Sequence, residues 1–187
     1  MMPSTRSWDA LVQATLLLIA ESGIDSLTLS QVAERAGVSR ATAYREFGDK
    51  DGLISAVAQH EIQQMAVAVM TRADAHADPA TLVPTTVLAA LRYLRNHAAF
   101  TYVRDHEPHW LLQAVVRVGE ARMNVIQTVS ATVAPAIAAT KYPYPLLPPL
   151  QAAEIIVRTV LSHTLIERSA LTDEQVADAV TRAITIG

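Results

Sequence analysis

Apolar residues return every three to four positions along most of the chain and nowhere alternate with polar ones for long, so the pattern predicts helices throughout. Leu11, Ala14, Thr15, Leu18 and Ile19 share one face of a first helix over about Ser7 to Ser22. Gly23 follows as its C-cap, because glycine takes the left-handed conformation at little steric cost. After a linker from Ile24 to Leu29, Ser30 stands where an N-cap is expected, with Glu34 one place beyond the ideal capping-box position. A short helix then runs to Ala36, Gly37 makes a tight turn, and Ser39 caps another helix that ends near Phe47. Gly48, Asp49 and Lys50 interrupt the pattern. A fourth helix starts near Asp51 and carries Leu53, Ile54, Val57 and Ala58 towards Met70.

Asp78, Pro79 and Pro84 mark a junction beyond which the chain becomes more apolar and less charged. We place a domain boundary there, with a first domain over residues 4–65 and a second over 66–187. In the second, helices are predicted from about Thr85 to Asn96, Ala98 to Asp105, Glu107 to Thr140 with a kink at Pro135, Pro149 to Arg168, and Thr172 to Ile184. The prolines at 143, 145, 148 and 149 make Tyr142 to Pro149 a loop. The expected fold class is all-α, a small helical module joined to a larger helical bundle.

Composition narrows the chemistry. With 187 residues and 51% apolar content the chain can bury a sizeable core. It has no cysteine, which excludes disulfides, thiolate metal sites and a cysteine nucleophile. The longest apolar run, around Leu16 to Ala20, falls well short of the roughly 20 residues that span a bilayer. No signal peptide or membrane anchor is expected, and the predicted location is the cytoplasm. A formal charge of −3 argues against general polyanion affinity, yet a nucleic-acid contact needs only one local face of basic and hydroxyl groups.

The run TLSQVAERAGVSRATAYREF supplies such a face. Val32, Ala33, Ala36, Val38, Ala43 and Phe47 fall where two short helices bury residues against each other, as in a DNA-binding helix-turn-helix over about residues 28–47. On the second of these helices Arg40, Thr42, Tyr44 and Arg45 offer hydrogen-bond donors to base edges and backbone, and small Ala41 lets the backbone come close. Tyr44 and Lys50 suit phosphates, and amides at helix starts near Ser30 and Ser39 add anion binding.

These residues resemble the TetR family of bacterial transcriptional regulators over about Thr5 to Ala58. LTLSQVAERAGVS matches the first part of that family's motif. RATAYREFGDKDGL matches the second, with Tyr44, Phe47, Lys50 and Leu53 in its spacing. The resemblance implies that Tyr44 and Lys50 grip phosphates while Arg40, Thr42 and Arg45 read or approach bases. It implies an N-terminal three-helix DNA-binding domain, an intervening set of helices around an effector pocket, and a four-helix homodimer interface from residues 149–168 and 172–184. Against this, Arg6, Arg35, Arg40, Arg45 and Lys50 are outnumbered by Asp9, Glu21, Asp25, Glu34, Glu46, Asp49 and Asp51. A modest salt dependence of DNA binding is therefore expected.

Other constellations carry less. His97, His106 and His109, with Glu107 and Glu120, lack a ligand spacing, and Pro108 separates two of them, so no metal or cofactor is expected. No strained elbow or glycine-rich oxyanion loop accompanies a serine, and no enzymatic activity is expected. Tyr93, Tyr102, Trp110 and Met123, with Phe100 and Leu112, are candidates to line an effector pocket, and Arg104, Arg117, His163 and Glu167 are its candidate polar groups. Such a lining suits an apolar or amphipathic small molecule. Ile155, Ile156, Thr159, Val160, His163 and Ile166 form one apolar stripe, and Val176, Ala179, Val180 and Ile184 another; in a monomer these are core, they are also what a symmetric dimer needs, and the resemblance favours the dimer. The function read from the sequence is a ligand-responsive homodimeric repressor on a palindromic double-stranded operator. The alternatives are a ligand-free or activating regulator, and a helical small-molecule carrier or enzyme.

Overall fold

A computed structural model describes residues 6–72, 79–116, 124–139, 146–166 and 168–186. Its helices are α1 (Arg6–Ser22), α2 (Leu29–Arg35), α3 (Arg40–Phe47), α4 (Lys50–Arg72), α5 (Pro79–Arg95), α6 (Ala98–His106), α7 (Pro108–Val116), α8 (Val125–Ala139), α9 (Pro149–Leu165) and α10 (Asp173–Ile184). Among the described residues the β structure is one isolated antiparallel bridge, Leu146 to Thr185. The all-α class expected from the periodicity is what the chain adopts. No described helix is long and apolar enough to cross a membrane.

The chain divides into two compact units, one formed by Met1–Ile62 with His97–Leu111 and the other by Gln63–Asn96 with Leu112–Gly187. In the first, α1 packs on α2 and α6, and α2 on α3. Leu11, Val12, Ala14 and Ile19 of α1 meet Val32 and Ala33 of α2, Ala43 and Phe47 of α3, Leu53 and Val57 of α4, and Ala99 and Val103 of α6 in one apolar cluster. Thr15 is fully buried on the same face, and its hydroxyl donates to the Leu11 carbonyl at 2.7 Å, so burial leaves no unpaired donor. Trp8 closes one edge, its ring centroid 6.4 Å from that of Phe47 and 5.1 Å from that of His60.

In the second unit α9 packs on α8, α5 and α10, and α10 also on α5. Val83, Val87 and Leu91, four residues apart on α5, join Ala152, Ile156 and Val160 of α9 and Val176, Val180 and Ile184 of α10 in its core. His163 is buried beside them, its Nε2 3.1 Å from Oδ1 of Asp173. Asp173 also pairs with Arg95. The Arg95 guanidinium first, and then His163, holds the Asp173 carboxyl below the usual carboxylate range.

Three local expectations are corrected. Thr28, not Ser30, caps α2: it is extended at φ −131° and ψ 148°, and its side chain exchanges bonds with Gln31 in a complete capping box. Ser30 lies inside the first turn. The helix expected from Glu107 to Thr140 is not continuous, because Asn124 is non-helical and starts α8 afresh. Its Oδ1 accepts from the Gln127 N–H at 2.9 Å, and its own N–H donates to Oε1 of Gln127 at 3.1 Å. Pro84 does not precede a helix but sits within α5, where burial of Val83 and Val87 on either side holds the helix through the missing N–H. The part of the proline-rich loop over 142–145 lies outside the described residues.

Candidate nucleic-acid interface

The α2–turn–α3 unit is assembled by signals close together in sequence. Gly37, at φ +67°, takes the left-handed position after α2. Its N–H donates to the Glu34 carbonyl at 3.1 Å and the next one, of Val38, to Ala33 at 3.0 Å. That pair is a Schellman closure, which satisfies two carbonyls the helix end leaves open and reverses the chain within two residues. Ser39 then caps α3, its Oγ accepting from the Thr42 N–H at 3.1 Å. Gly48, at φ +77°, ends it. The Asp49 carboxylate accepts from the Gly52 N–H at 2.7 Å at the start of α4.

With Ala43 and Phe47 buried against α1 and α2, the helical period turns Arg40, Ala41, Tyr44 and Arg45 outward together as one exposed face. Tyr44 is 51% exposed, so half of its ring and phenol face solvent. Arg45 reaches Glu46 only at 3.9 Å, so its guanidinium stays available. Thr42 is half-buried and its hydroxyl lies 2.9 Å from that of Ser39, which commits it to the cap. Ser30 is half-buried in the first turn of α2. Lys50 starts α4, and its ammonium donates to the carbonyl of Asp25 at 2.9 Å. The indole N–H of Trp110 first, and then the neighbouring His109 and Lys50, hold the Asp25 carboxyl below the usual range. Arg35 pairs bidentately with Glu21 at 2.9 and 2.8 Å, bracing α2 on α1. This guanidinium is committed within the fold.

The candidate pocket residues are divided between the two units. Tyr102, Arg104 and Trp110 belong to the first unit, where Tyr102 stacks on His106 at 4.4 Å, Arg104 pairs with Asp105, and Trp110 packs against the core around α1. Tyr93 and His163 belong to the second. Arg117, Met123 and Glu167 lie outside the described residues. Among the described residues no three His, Asp or Glu side chains are placed to hold a metal ion. The stripes assigned to a dimer contact are largely occupied inside the second unit: Ile156, Val160, His163, Val176, Val180 and Ile184 are buried, while Ile166 and Ala179 remain exposed.

Sequence reasoning missed Glu107 and Asp25, which act through contacts more than 80 residues apart along the chain. Neither residue stands in a local sequence pattern that marks this role.

The family model for bacterial regulatory proteins of the tetR family matches residues 11–57, the stretch that contains α2, α3 and their support. The HTH-type transcriptional regulator BetI of Burkholderia mallei (strain NCTC 10229) is 32% identical over 122 residues, which are 61% of this chain and 62% of that protein. BetI of Paraburkholderia phymatum is 42% identical over 62 residues, 33% of this chain and 32% of its own. The chain thus spans less than two thirds of the length of these relatives. Among solved structures, the TetR family repressor AlkX of a Dietzia strain superposes with a TM-score of 0.71 at 21% identity, over 96% of this chain and 92% of its own. The transcriptional repressor QsdR of R. erythropolis follows this fold with a TM-score of 0.63 at 17% identity, over 99% and 98%. The helix-turn-helix geometry and the family-model match fall on the same stretch: residues 11–57 match the tetR family of bacterial regulatory proteins, and the chain shares its fold with solved structures of that family.

Proposed function

We propose that the protein is a sequence-specific DNA-binding transcriptional repressor that works as a homodimer on a palindromic operator and is released by a small-molecule effector. The observation that carries this reading is the exposed face Arg40, Ala41, Tyr44 and Arg45 on a short, capped helix held by a Schellman turn. Two arginines and a phenol offer donors to base edges and phosphates, and Ala41 leaves room for close approach. Lys50 and Tyr44 serve as phosphate anchors, with the amides at the starts of α2 and α3, by Ser30 and Ser39, as further donors. The curated relatives named above are transcriptional regulators, which supports the same class.

Two recognition helices on a two-fold dimer enter successive major grooves about 34–36 Å apart. An effector that binds better to a conformation with a different spacing withdraws the protein from DNA, by no more than its differential affinity for the two conformations. RolR, a structure of the same fold with a TM-score of 0.58 at 15% identity, has been solved with resorcinol, which fits a small, partly apolar effector for this chain. For the dimer, exposed Leu165, Ile166, Ala179 and Ala183 at α9 and α10 leave apolar surface for a second copy. No enzymatic step and no cofactor belongs to this reading. The test is selection of retained sequences from random duplex DNA with the full chain. An enriched palindrome is expected. Absence of any enrichment overturns the proposal.

A further inference from the structure

One buried acidic group outside the helix-turn-helix is bonded to the turn that follows α1. Glu107, at the junction of α6 and α7, is only 8% exposed. Its two carboxylate oxygens are divided between two backbone amides: Oε2 accepts from the Ile24 N–H at 2.6 Å and Oε1 from the Asp25 N–H at 3.0 Å. Charge-assisted bonds of this kind are about twice as strong as neutral ones, and a buried carboxylate that lost them would be left uncompensated. The seat exists only because residue 23 is glycine: a Cβ there would stand 2.3 Å from Oε1 of Glu107.

The same turn is held at two more points. The indole N–H of Trp110 donates to Oδ1 of Asp25 at 2.8 Å, and Nε2 of His109 lies 3.3 Å from that oxygen. The Asp25 carbonyl then accepts from the Lys50 ammonium at 2.9 Å. Every polar group of Asp25 is thereby assigned. Its N–H faces Glu107, its carboxylate faces Trp110 and His109, and its carbonyl faces the first residue of α4. Fixing the first two leaves the backbone little freedom to turn the third.

We propose that Glu107 and Trp110 are positioning residues for DNA binding: by clamping the Ile24–Asp25 backbone they aim the Asp25 carbonyl, and so hold the Lys50 ammonium where it meets a phosphate. This rests on the DNA-binding reading above. It makes the segment that follows α6 a determinant of affinity although it carries no residue of the DNA-facing surface, and any event that withdraws residues 107–110 from the turn loosens Lys50.

The test uses the full chain and the duplex enriched by selection, at one salt concentration. Glu107→Gln keeps the side chain's shape but replaces one acceptor with an amide that cannot accept from a backbone N–H. Trp110→Phe keeps the packing and removes only the donor to Asp25. Glu107→Gln is expected to weaken binding by roughly tenfold, the scale of one charge-assisted bond, and Trp110→Phe by about threefold. Hydrogen exchange at the Ile24 and Asp25 amides is expected to quicken in Glu107→Gln. Both losses of affinity should shrink when measured on top of Lys50→Ala, because the clamp acts through Lys50. A merely structural role gives the same loss in both backgrounds and overturns the proposal. So does undiminished affinity in Trp110→Phe, the variant that settles the matter should Glu107→Gln fail to fold. If the unsubstituted chain retains no duplex at all, the DNA-binding reading itself falls, an outcome distinct from retention that is indifferent to Glu107 and Trp110.

Discussion

Gly23→Ala tests the seat of Glu107 through stability. Gly23 has φ +82°, in the left-handed region, where an L side chain costs about 1–2 kcal/mol. The new methyl would also stand 2.3 Å from Oε1, 2.6 Å from Cδ and 2.8 Å from Oε2 of Glu107, so the carboxylate must leave its place. An exposed glutamate would swing aside at little cost, but this one is buried and bonded to two amides. Hydrogen bonds to a charged group contribute about 1.5–3 kcal/mol each, and the Asp25 amide recovers part of its loss from water because that residue is exposed. We therefore count one bond, and expect Gly23→Ala to cost about 2.5–5 kcal/mol in all. In a Glu107→Ala background only the backbone cost remains, about 1–2 kcal/mol, which leaves a coupling of roughly 1.5–3 kcal/mol. The assay is urea unfolding followed by tryptophan fluorescence. The chain has two tryptophans, Trp8 and Trp110, and both lie in the first unit, so the signal reports the unit that is perturbed. A cost under about 1 kcal/mol, or an equal cost in both backgrounds, would refute the reasoning.

Thr28→Ala removes the side chain that caps α2 and is expected to destabilise the first unit by about 1 kcal/mol, whereas Ser30→Ala stays within about 0.5 kcal/mol, measured by the same unfolding assay. Lys50→Ala should weaken operator binding uniformly across sequences and lower the slope of log affinity against log salt by about 1, read by salt titration. Asp173 titrates below its ordinary value in the folded chain, so its contribution to stability is present above the unfolded value of about 3.9 and is lost as pH falls through the depressed folded one. Thermal midpoints of the unsubstituted chain and Asp173→Asn, compared from pH 5 downwards, are thus expected to converge as the carboxyl protonates.

The helix-turn-helix was legible because its determinants are local. Ser39 caps the residue three places on, Gly37 supplies a left-handed turn, and the helical period separates Ala43 and Phe47 from Arg40, Ala41, Tyr44 and Arg45. Thr28 and Ser30 show the limit of that legibility. Both are good caps two residues apart, and Gln31 favours Thr28 by closing the box from the helix side. Asn124 is the same kind of signal, read instead as helix interior because apolar residues surround it.

What sequence by itself determined, then, is the class of fold, the family motif and the face of α3, all set by periodicity and caps within a few residues of one another. Tertiary structure alone decided where the remaining polar groups are used. Trp110, a candidate for pocket lining by sequence, bonds Asp25, 85 residues away. Apolar stripes on α9 and α10 look like a dimer seam and are mostly buried within their own unit, since a stripe is equally satisfied by a neighbouring helix or a second copy. Glu107 carries no local pattern at all. Its role depends on two amides left open after α1, and only the packing of α6 against that helix brings the carboxylate to them.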